Sequence, residues 1–428
     1  MRIGQVVVDV APLRQSRDFR WLFAGRFVAN AGNAVAVTAA NWQVYGLTHS
    51  SLAVGMLTLA DSVGMIIGLL AGGMLADRYD RRQVLLAVRL PAGALAALMM
   101  VNSLLPRPAL WPLYTLTLGI GLLSGLSAPA ATAVVPALVD EALLPAAVAL
   151  NSAGSQLGNL AGPAFGGLLI AGPGLPVCYA IDAAAFVVFG LVMLAVRPLP
   201  PAVRGQRPGL RALTEGFSFV RRSGVVGGML LVDTNAMIFG MPTALFPALA
   251  AEHFHGGSAT FGLLTAAPGL GALIGGATSG WVGRLRRPGV VVIISGMIWG
   301  GAITGFGLVH SLWAGLAFLA LAGMGDLISE ILRNALLQRY TPDQLRGRVS
   351  SLYLAQVNTA PALGNVEAGA VAQLFTPVVS VVSGGLACVA GALLLGAAIP
   401  ALRHATFASP PGTPSGGGPS PAPAESAS

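Results

Sequence analysis

The stretch GNLAGPAFGG, residues 158–167, sets four glycines and a proline into ten residues. The chain around it is apolar from Ala146 to Ile170. In a water-soluble helix each interior glycine costs about 1 kcal/mol and an interior proline about 3 kcal/mol. Between membrane helices the same residues are useful, because glycine lets backbones approach where no hydrophobic force drives association. Gly158, Gly162 and Gly166 recur every fourth residue and so form one smooth stripe. Pro163 weakens the hydrogen-bond ladder, and a neighbouring helix can satisfy the freed carbonyl. The stretch reads as a bendable, close-packed hinge inside a lipid bilayer.

Composition extends that reading to the whole chain. Of 428 residues, 9% are charged and 55% hydrophobic, and the mean hydropathy is +0.75. A soluble domain carries roughly 25% charge, so this chain cannot cover a water-facing surface. Runs of about 20 apolar residues, the length needed to cross a bilayer, recur twelve times. They lie near 19–46, 52–76, 84–104, 111–137, 146–171, 175–197, 224–250, 259–283, 290–309, 312–337, 349–375 and 378–401. Spanning segments must be helices or a closed barrel, and continuous apolar runs without period-2 alternation select helices. The expected fold is all-α, a polytopic membrane protein of twelve transmembrane helices.

All 24 basic residues are arginines, and their placement has a period of two spans. Arg14, Arg17 and Arg20 precede span 1; Arg78, Arg81 and Arg82 follow span 2; Arg284, Arg286 and Arg287 follow span 8. Arg339, Arg346 and Arg348 follow span 10, and Arg403 follows span 12. The alternate connections hold only Arg107. This asymmetry places both termini in the cytoplasm of a multi-pass protein of the cell membrane. It also accounts for the +8 net charge without a nucleic-acid partner. Cys178 and Cys388 fall within spans and read as small packing residues. No cleavable signal is expected, because no apolar region of signal length precedes Arg14.

The arginine-rich connection 198–222 divides the spans six and six. The expected organisation is a six-helix bundle over 1–197, a cytoplasmic linker over 198–222, a second bundle over 223–403 and a disordered tail over 404–428. The tail is rich in Pro, Gly and Ser from Ser409 onward, a composition that does not pack. A shift of 202 residues lays Leu143 on Leu345, Leu150 on Leu352, Gly162 on Gly364 and Gly167 on Gly369. Parallel six-helix repeats flanking a central site are the architecture of a rocking transporter.

GGMLADRYDRR, residues 72–82, joins spans 2 and 3. Here Gly73 is read as a close-approach point, Asp77 as an acceptor at the membrane surface, and three arginines follow. This stretch resembles the signature of the major facilitator superfamily, although Asp80 stands where that family often has glycine. The resemblance implies that Asp77, Arg78 and Arg82 form a cytoplasmic latch between the two halves. The alternative is a purely topogenic basic turn. Gly158, Gly162, Pro163, Gly166 and Gly167 likewise resemble the fifth-helix motif of that superfamily's exporters, against generic small-residue packing. The equivalent GNVEAG, residues 364–369, lacks the Gly-Pro pair, which favours export over uptake. Several stretches, among them residues 25–56 and AAPGLGALIGGATSG at 266–280, resemble the enterobactin-type siderophore exporters and related macrolide and drug efflux proteins.

Ionisable side chains inside a bilayer cost at least about 2.5–3.5 kcal/mol each and so need a reason. Span 1 carries Arg26, Asn30, Asn33 and Asn41 on one face, with Tyr45 a turn beyond. Asp61 lies near the middle of span 2, Asp182 in span 6, Asp233 and Asn235 in span 7, and Glu367 in span 11. Asp326, Glu330 and Arg333 share a face of span 10, where a Glu330–Arg333 pair is expected to anchor a structural charge network. Asp61, Asp233 and Glu367 have no local basic partner, though Arg26 is placed to pair with Asp61 across a hairpin. A carboxylate buried without a fixed partner can load and release protons near neutral pH. Arg26, Asn30, Asn33, Asp61, Asp233 and Glu367 are therefore candidates for proton coupling or substrate contact, against the reading of satisfied interhelical bonds. Tyr45, Tyr353, Trp42, Met65, Phe165 and Phe239 are candidate lining for an amphipathic cargo.

No Gly-x-Ser-x-Gly elbow, P-loop or HExxH cluster occurs, so neither an enzyme nor direct ATP drive is expected. All five histidines fall in loops or the tail, and neither a metal nor another cofactor is expected. The sequence thus describes a monomeric secondary exporter of a siderophore-like small molecule driven by protons, with a multidrug pump as the alternative. Replacing Gly162 by Leu is expected to leave a membrane-inserted protein without efflux, read as cargo retained in cells at wild-type protein levels.

Overall fold

A computed structural model describes residues 10–198 and 210–407, with the side chains of 74, 76, 77 and 210–213 left aside. The tail beyond 407 and residues 199–209 of the linker lie outside the described residues. Among the described residues every regular element is helical. Twelve long helices follow in order: α1 Arg17–Thr48, α2 Ser51–Arg78, α3 Arg81–Leu104, α4 Leu110–Leu138, α5 Leu144–Ala171 and α6 Leu175–Ala195. The second set is α7 Gly224–Phe239, α8 Ser258–Thr278, α9 Pro288–Leu308, α10 Leu312–Tyr340, α11 Asp343–Leu374 and α12 Pro377–Ala398.

Nine of these segments are long and apolar enough to cross a membrane. The other three are α1, α5 and α11, long enough but less apolar. They are rich in Asn and Gln, among them Asn30, Asn33, Asn41 and Gln43 on α1 and Gln356, Asn358 and Asn365 on α11. Short polar caps set several starts: Ser50 accepts from the Ala53 amide and Ser223 from the Val226 amide, each at 3.3 Å. Such caps satisfy donors that a helix start otherwise leaves open.

Span 7 departs from the expected continuous helix over 224–250. It breaks at Gly240–Pro242 and resumes as short helical turns from Thr243 to His253. Proline removes a ladder donor, and lipid would leave the freed groups without partners. Neighbouring helices supply them. Trp299 donates its indole N–H to the Gly240 carbonyl at 2.7 Å. The Asn365 side-chain oxygen accepts from the Thr243 hydroxyl and the Ala244 amide, each at 2.8 Å.

Close packing inside the first half rests on α2 against α4. Gly64, Gly68 and Gly72 face the backbone of Leu118, Leu122 and Leu126, while Gly121 and Gly125 face the Asp61 and Met65 carbonyls. A Cβ at any of these would overlap a facing carbonyl. Gly73, expected to be the close-approach residue, has open space where its Cβ would stand. Its neighbour Gly72 makes the contact, because only one of two adjacent helix positions can face α4. The second half repeats the device: Gly271 faces Ala320 and Gly323 faces Pro268, joining α8 to α10.

The halves also repeat in register. Gly162 packs on Ala34 of α1, and Gly364, 202 residues on, packs on Met237 and Ile238 of α7. Gly167 meets Ser258 and Gly262 of α8, and Gly369 meets Ser51 and Leu52 of α2. Equivalent glycines thus touch equivalent helices, and the two bundles join along α5–α8 and α2–α11. These joints include Leu160–Gly269 and the Ser62 hydroxyl donating to the Asn358 carbonyl at 3.2 Å. They continue to Leu52–Gly369 and Gly167–Ser258 at the end opposite the termini.

The linker ends in an amphipathic helix, Leu210–Arg222. Its Glu215 pairs with Arg348 at the start of α11, and Gly216 faces Arg348 and Leu352. Replacing Gly121 by Leu is expected to lower the detergent unfolding midpoint, since overpacking of this kind costs about 1–3 kcal/mol. The same replacement at Gly73 is expected to leave the midpoint unchanged.

Candidate functional site

Five helices of the first half line a half-open cavity of about 220 Å³, with Met99 the contribution of α3. Asn33 and Asn41 come from α1, Thr58 and Asp61 from α2, Thr117 and Ser124 from α4, and Asp182 from α6. The α2–α4 glycine contact fixes its floor, because Gly121 lies directly against the Asp61 backbone and carboxylate. Gly32 brings α1 close to Ala185 of α6 and into van der Waals range of Asp182. Asp61 has no hydrogen-bond or ion-pair partner among the described residues. Asp182 is 1% exposed, and its Oδ1 has no hydrogen-bond partner.

The expected pairing of Arg26 with Asp61 is not formed. Arg26 instead lies within coulombic reach of Arg89 on α3, a residue the sequence reading passed over. Arg89 stands 4.4 Å above the Phe189 ring and 5.5 Å from that of Phe186. It lies about two turns past the basic stretch Arg81–Arg82. Its isolation in the apolar run VLLAVRLPAGALA is the signal that was available. Asn30 donates to the Ser155 hydroxyl at 3.0 Å and so ties α1 to α5.

The second half treats its charges differently. Asp233 is not without a basic partner: Arg333 Nη1 lies 2.6 Å from its Oδ1. The Gln356 amide donates to Asp233 Oδ2 at 3.0 Å. Arg333 also donates to the Ser329 hydroxyl at 2.9 Å, approaches Asp326 at 3.6 Å and is hydrogen-bonded to Tyr353. The expected Glu330–Arg333 pair on α10 is absent, because the arginine turns inward to α7. Sequence spacing sees only neighbours on one helix, whereas Asp233 reaches Arg333 from another. Glu367 is half-buried on α11 and has no partner among the described residues. Asn235 donates to the Cys388 carbonyl at 2.8 Å, joining α7 to α12.

Of the fifth-helix motif, Gly158, Gly162 and Gly166 all face α1, while Gly167 and the Pro163 carbonyl face Gly262 of α8. In the turn after α2, the Asp77 side chain lies outside the described residues and Arg78 is exposed. Arg82 donates to the Met193 and Leu194 carbonyls at 2.8 and 2.7 Å, closing the end of α6 in its own half. Arg81 donates to the Ala133 carbonyl of α4 at 3.0 Å. At the end opposite the termini the halves meet side chain to side chain. Tyr45 donates to Glu252, and Trp42 stacks on Phe261 with centroids 5.7 Å apart. Met65 lines the cavity, whereas Phe165 is exposed and Tyr353 belongs to the Arg333 network. Among the described residues no cluster of three His, Cys, Asp or Glu side chains is placed to hold a metal.

Two six-helix bundles with polar groups gathered at their centre define a major facilitator transporter rather than an enzyme. The chain belongs to the transmembrane secretion effector family, whose model matches residues 7–410. Its relatives include the enterobactin exporter EntS of Citrobacter koseri, 34% identical over 410 residues, spanning 96% of this chain and 98% of that one. EntS of Escherichia coli K12 is 33% identical over 398 residues, covering 93% and 95% of the two chains. Among solved structures, a bacterial homologue of the iron transporter ferroportin in an inward-facing state superposes with a TM-score of 0.66. That match covers 90% of this chain and 98% of the other at 16% identity.

Replacing Arg333 by Met leaves Asp233 as a buried unpaired charge, and breaking such a pair costs about 3–5 kcal/mol. A marked fall in the detergent unfolding midpoint is expected. Adding Asp233→Asn to the same chain is expected to restore most of it.

Proposed function

We propose that this protein is a proton-coupled exporter of a siderophore or similar amphipathic small molecule, acting as a monomer in the cytoplasmic membrane. The observation that carries the reading is likeness to the enterobactin exporters along nearly the full length of both chains. The match spans 98% of the Citrobacter koseri relative, and the cavity-lining helices fall within the matched region. The multidrug alternative has no comparable observation behind it.

The arginine asymmetry supports cytoplasmic termini. With that orientation, the contacts Tyr45–Glu252, Trp42–Phe261 and Ser258–Gly167 seal the external side, and cargo loads from the cytoplasm. Export then requires the α5–α8 and α2–α11 joints to open outside and close inside. The paired glycines Gly167 and Gly262 suit such a joint, since smooth backbone surfaces slide without unlocking side chains. Asp77, Arg78 and Arg82 would act at the opposite end, where Arg82 already holds the turn rigidly on α6.

Proton coupling falls to Asp61 in preference to Asp233. A carboxylate can exchange protons during a cycle only if it is not held by a fixed counter-charge. Asp233 is held by Arg333 at 2.6 Å, while Asp61 faces the cavity without a partner. Arg26, Asn33 and Glu367 remain as substrate contacts, and Asn30 as a brace. In proteoliposomes a pH gradient is expected to drive transport of a catecholate siderophore by the wild-type chain. Asp61→Asn is expected to bind cargo but lose the gradient-driven component. A strain lacking the gene is expected to secrete less siderophore under iron limitation. Wild-type gradient dependence in the Asp61→Asn chain would remove Asp61 from the mechanism.

A further inference from the structure

We propose that the half-open cavity lined by α1, α2, α3, α4 and α6 is a binding site for a cationic amine: one ammonium head carried on an apolar stem. The proposal deepens the export reading. It rests on that reading only for transport of the amine, not for its binding.

The acceptors come first. Asp61 and Asp182 line the same cavity from different helices, and neither is paired with a described residue. Asp182 is 1% exposed and its Oδ1 has no hydrogen-bond partner. An isolated buried carboxylate is costly unless a charged donor meets it. The Thr117 Oγ1 on the α4 wall is buried and unpartnered as well. The Thr58 hydroxyl already donates to the Val54 carbonyl at 3.3 Å, so only its lone pairs face outward. The polar lining thus sets two unpaired carboxylates, which only accept when ionised, among hydroxyl and amide groups that can both donate and accept.

Charge sets the valence. The titratable groups around Asp182 are Asp61 on α2, Arg89 on α3 and, beyond Arg89, Arg26 on α1. Arg89 does not come within ion-pair distance of Asp182, and its guanidinium is seated on Phe189 and Phe186. Such seating is the cation–π arrangement that holds an arginine in place. By formal count the two arginines balance the two aspartates, but they leave the carboxylate oxygens unoccupied. One added positive charge at those oxygens therefore suits the site better than two.

Shape sets the stem. A cavity of about 220 Å³ is several times the roughly 30 Å³ share of one water, far more than a bare alkali ion requires. Leu57, Met65, Met99 and Ile120 form an apolar wall beside the oxygens, and methionine adapts readily to varied ligand shapes. Neither histidine nor cysteine lines the cavity, so the donor set does not suit a transition metal. An ammonium group against Asp182 and Asp61 with an aliphatic or aryl stem along the methionines fits both surfaces.

The test uses the purified full-length chain in detergent, with no gradient imposed. Thermal unfolding is followed with benzylamine, benzyl alcohol, sodium benzoate and sodium chloride as probes. Benzylammonium at tenfold its Kd is expected to raise the midpoint by about 2 °C or more, with no shift from the other three. Asp182→Asn and Thr117→Val are each expected to weaken that shift at least tenfold in concentration. If Asp182→Asn does not fold, the Thr117→Val chain and the wild-type probe series carry the test. An equal shift with benzyl alcohol, a shift with sodium chloride alone, or no shift with benzylamine overturns the amine site. Failure of siderophore transport in proteoliposomes with the benzylamine shift intact overturns the export reading instead.

Discussion

Lipid gives two helices no hydrophobic reason to associate, so contact in this protein depends on how closely their backbones can approach. The consequence is visible wherever two helices must stay together. Gly64, Gly68 and Gly72 lie against α4, Gly121 and Gly125 return the contact, and Gly271 and Gly323 repeat it in the second half. These contacts set glycine backbone directly against facing backbone carbonyls over a long stretch, which makes each half rigid. The joints between halves use the same residue with a different partner. There Gly167 faces Gly262, and the side-chain bonds across the joints are few, among them Ser258 to Gly167 and Ser62 to Asn358. Rigid halves with a smooth seam are what a rocking transporter needs.

The two halves repeat in register yet carry their charges in opposite ways. In the second half, Asp233, Arg333, Asp326 and Gln356 form a charge-paired network that joins α7, α10 and α11. Breaking such a network leaves a buried charge, so it acts as a brace. In the first half, Asp61 and Asp182 open on a cavity, and the nearest arginine is held by two phenylalanine rings. The divergence extends to the helices that face each other across the repeat. α5 keeps Gly162 and Pro163, while α11 has Gly364 followed by Asn365, whose side chain is spent on satisfying the break in span 7. One half thus supplies a scaffold and the other a place for protons or a ligand.

Much of the chemistry was readable residue by residue, and the failures have a common cause. Gly73 looked equivalent to Gly72 in the sequence, but a helix turns 100° per residue, so only one of them meets α4. Asp233 looked unpaired because its partner is 100 residues away, on α10. Glu330 looked like that partner's mate because it is three residues from it. Arg89 was not singled out, although it lies inside α3 in an otherwise apolar run. The break at Gly240–Pro242 had a signal in GMPTALFP, which the overall hydropathy of the run concealed.

The amino-acid sequence determined the class of structure: lipid accepts only backbones that satisfy themselves, so long apolar runs become helices, and clustered arginines show where each pair of spans returns. It also determined the repeat, since glycines 202 residues apart contact matching helices. What only the tertiary structure decided is which polar groups meet. Hydropathy cannot distinguish a lipid-facing position from a packed one, because both are apolar. It therefore cannot say how each helix is rotated, and rotation is what pairs Asp233 with Arg333 and leaves Asp61 facing the cavity.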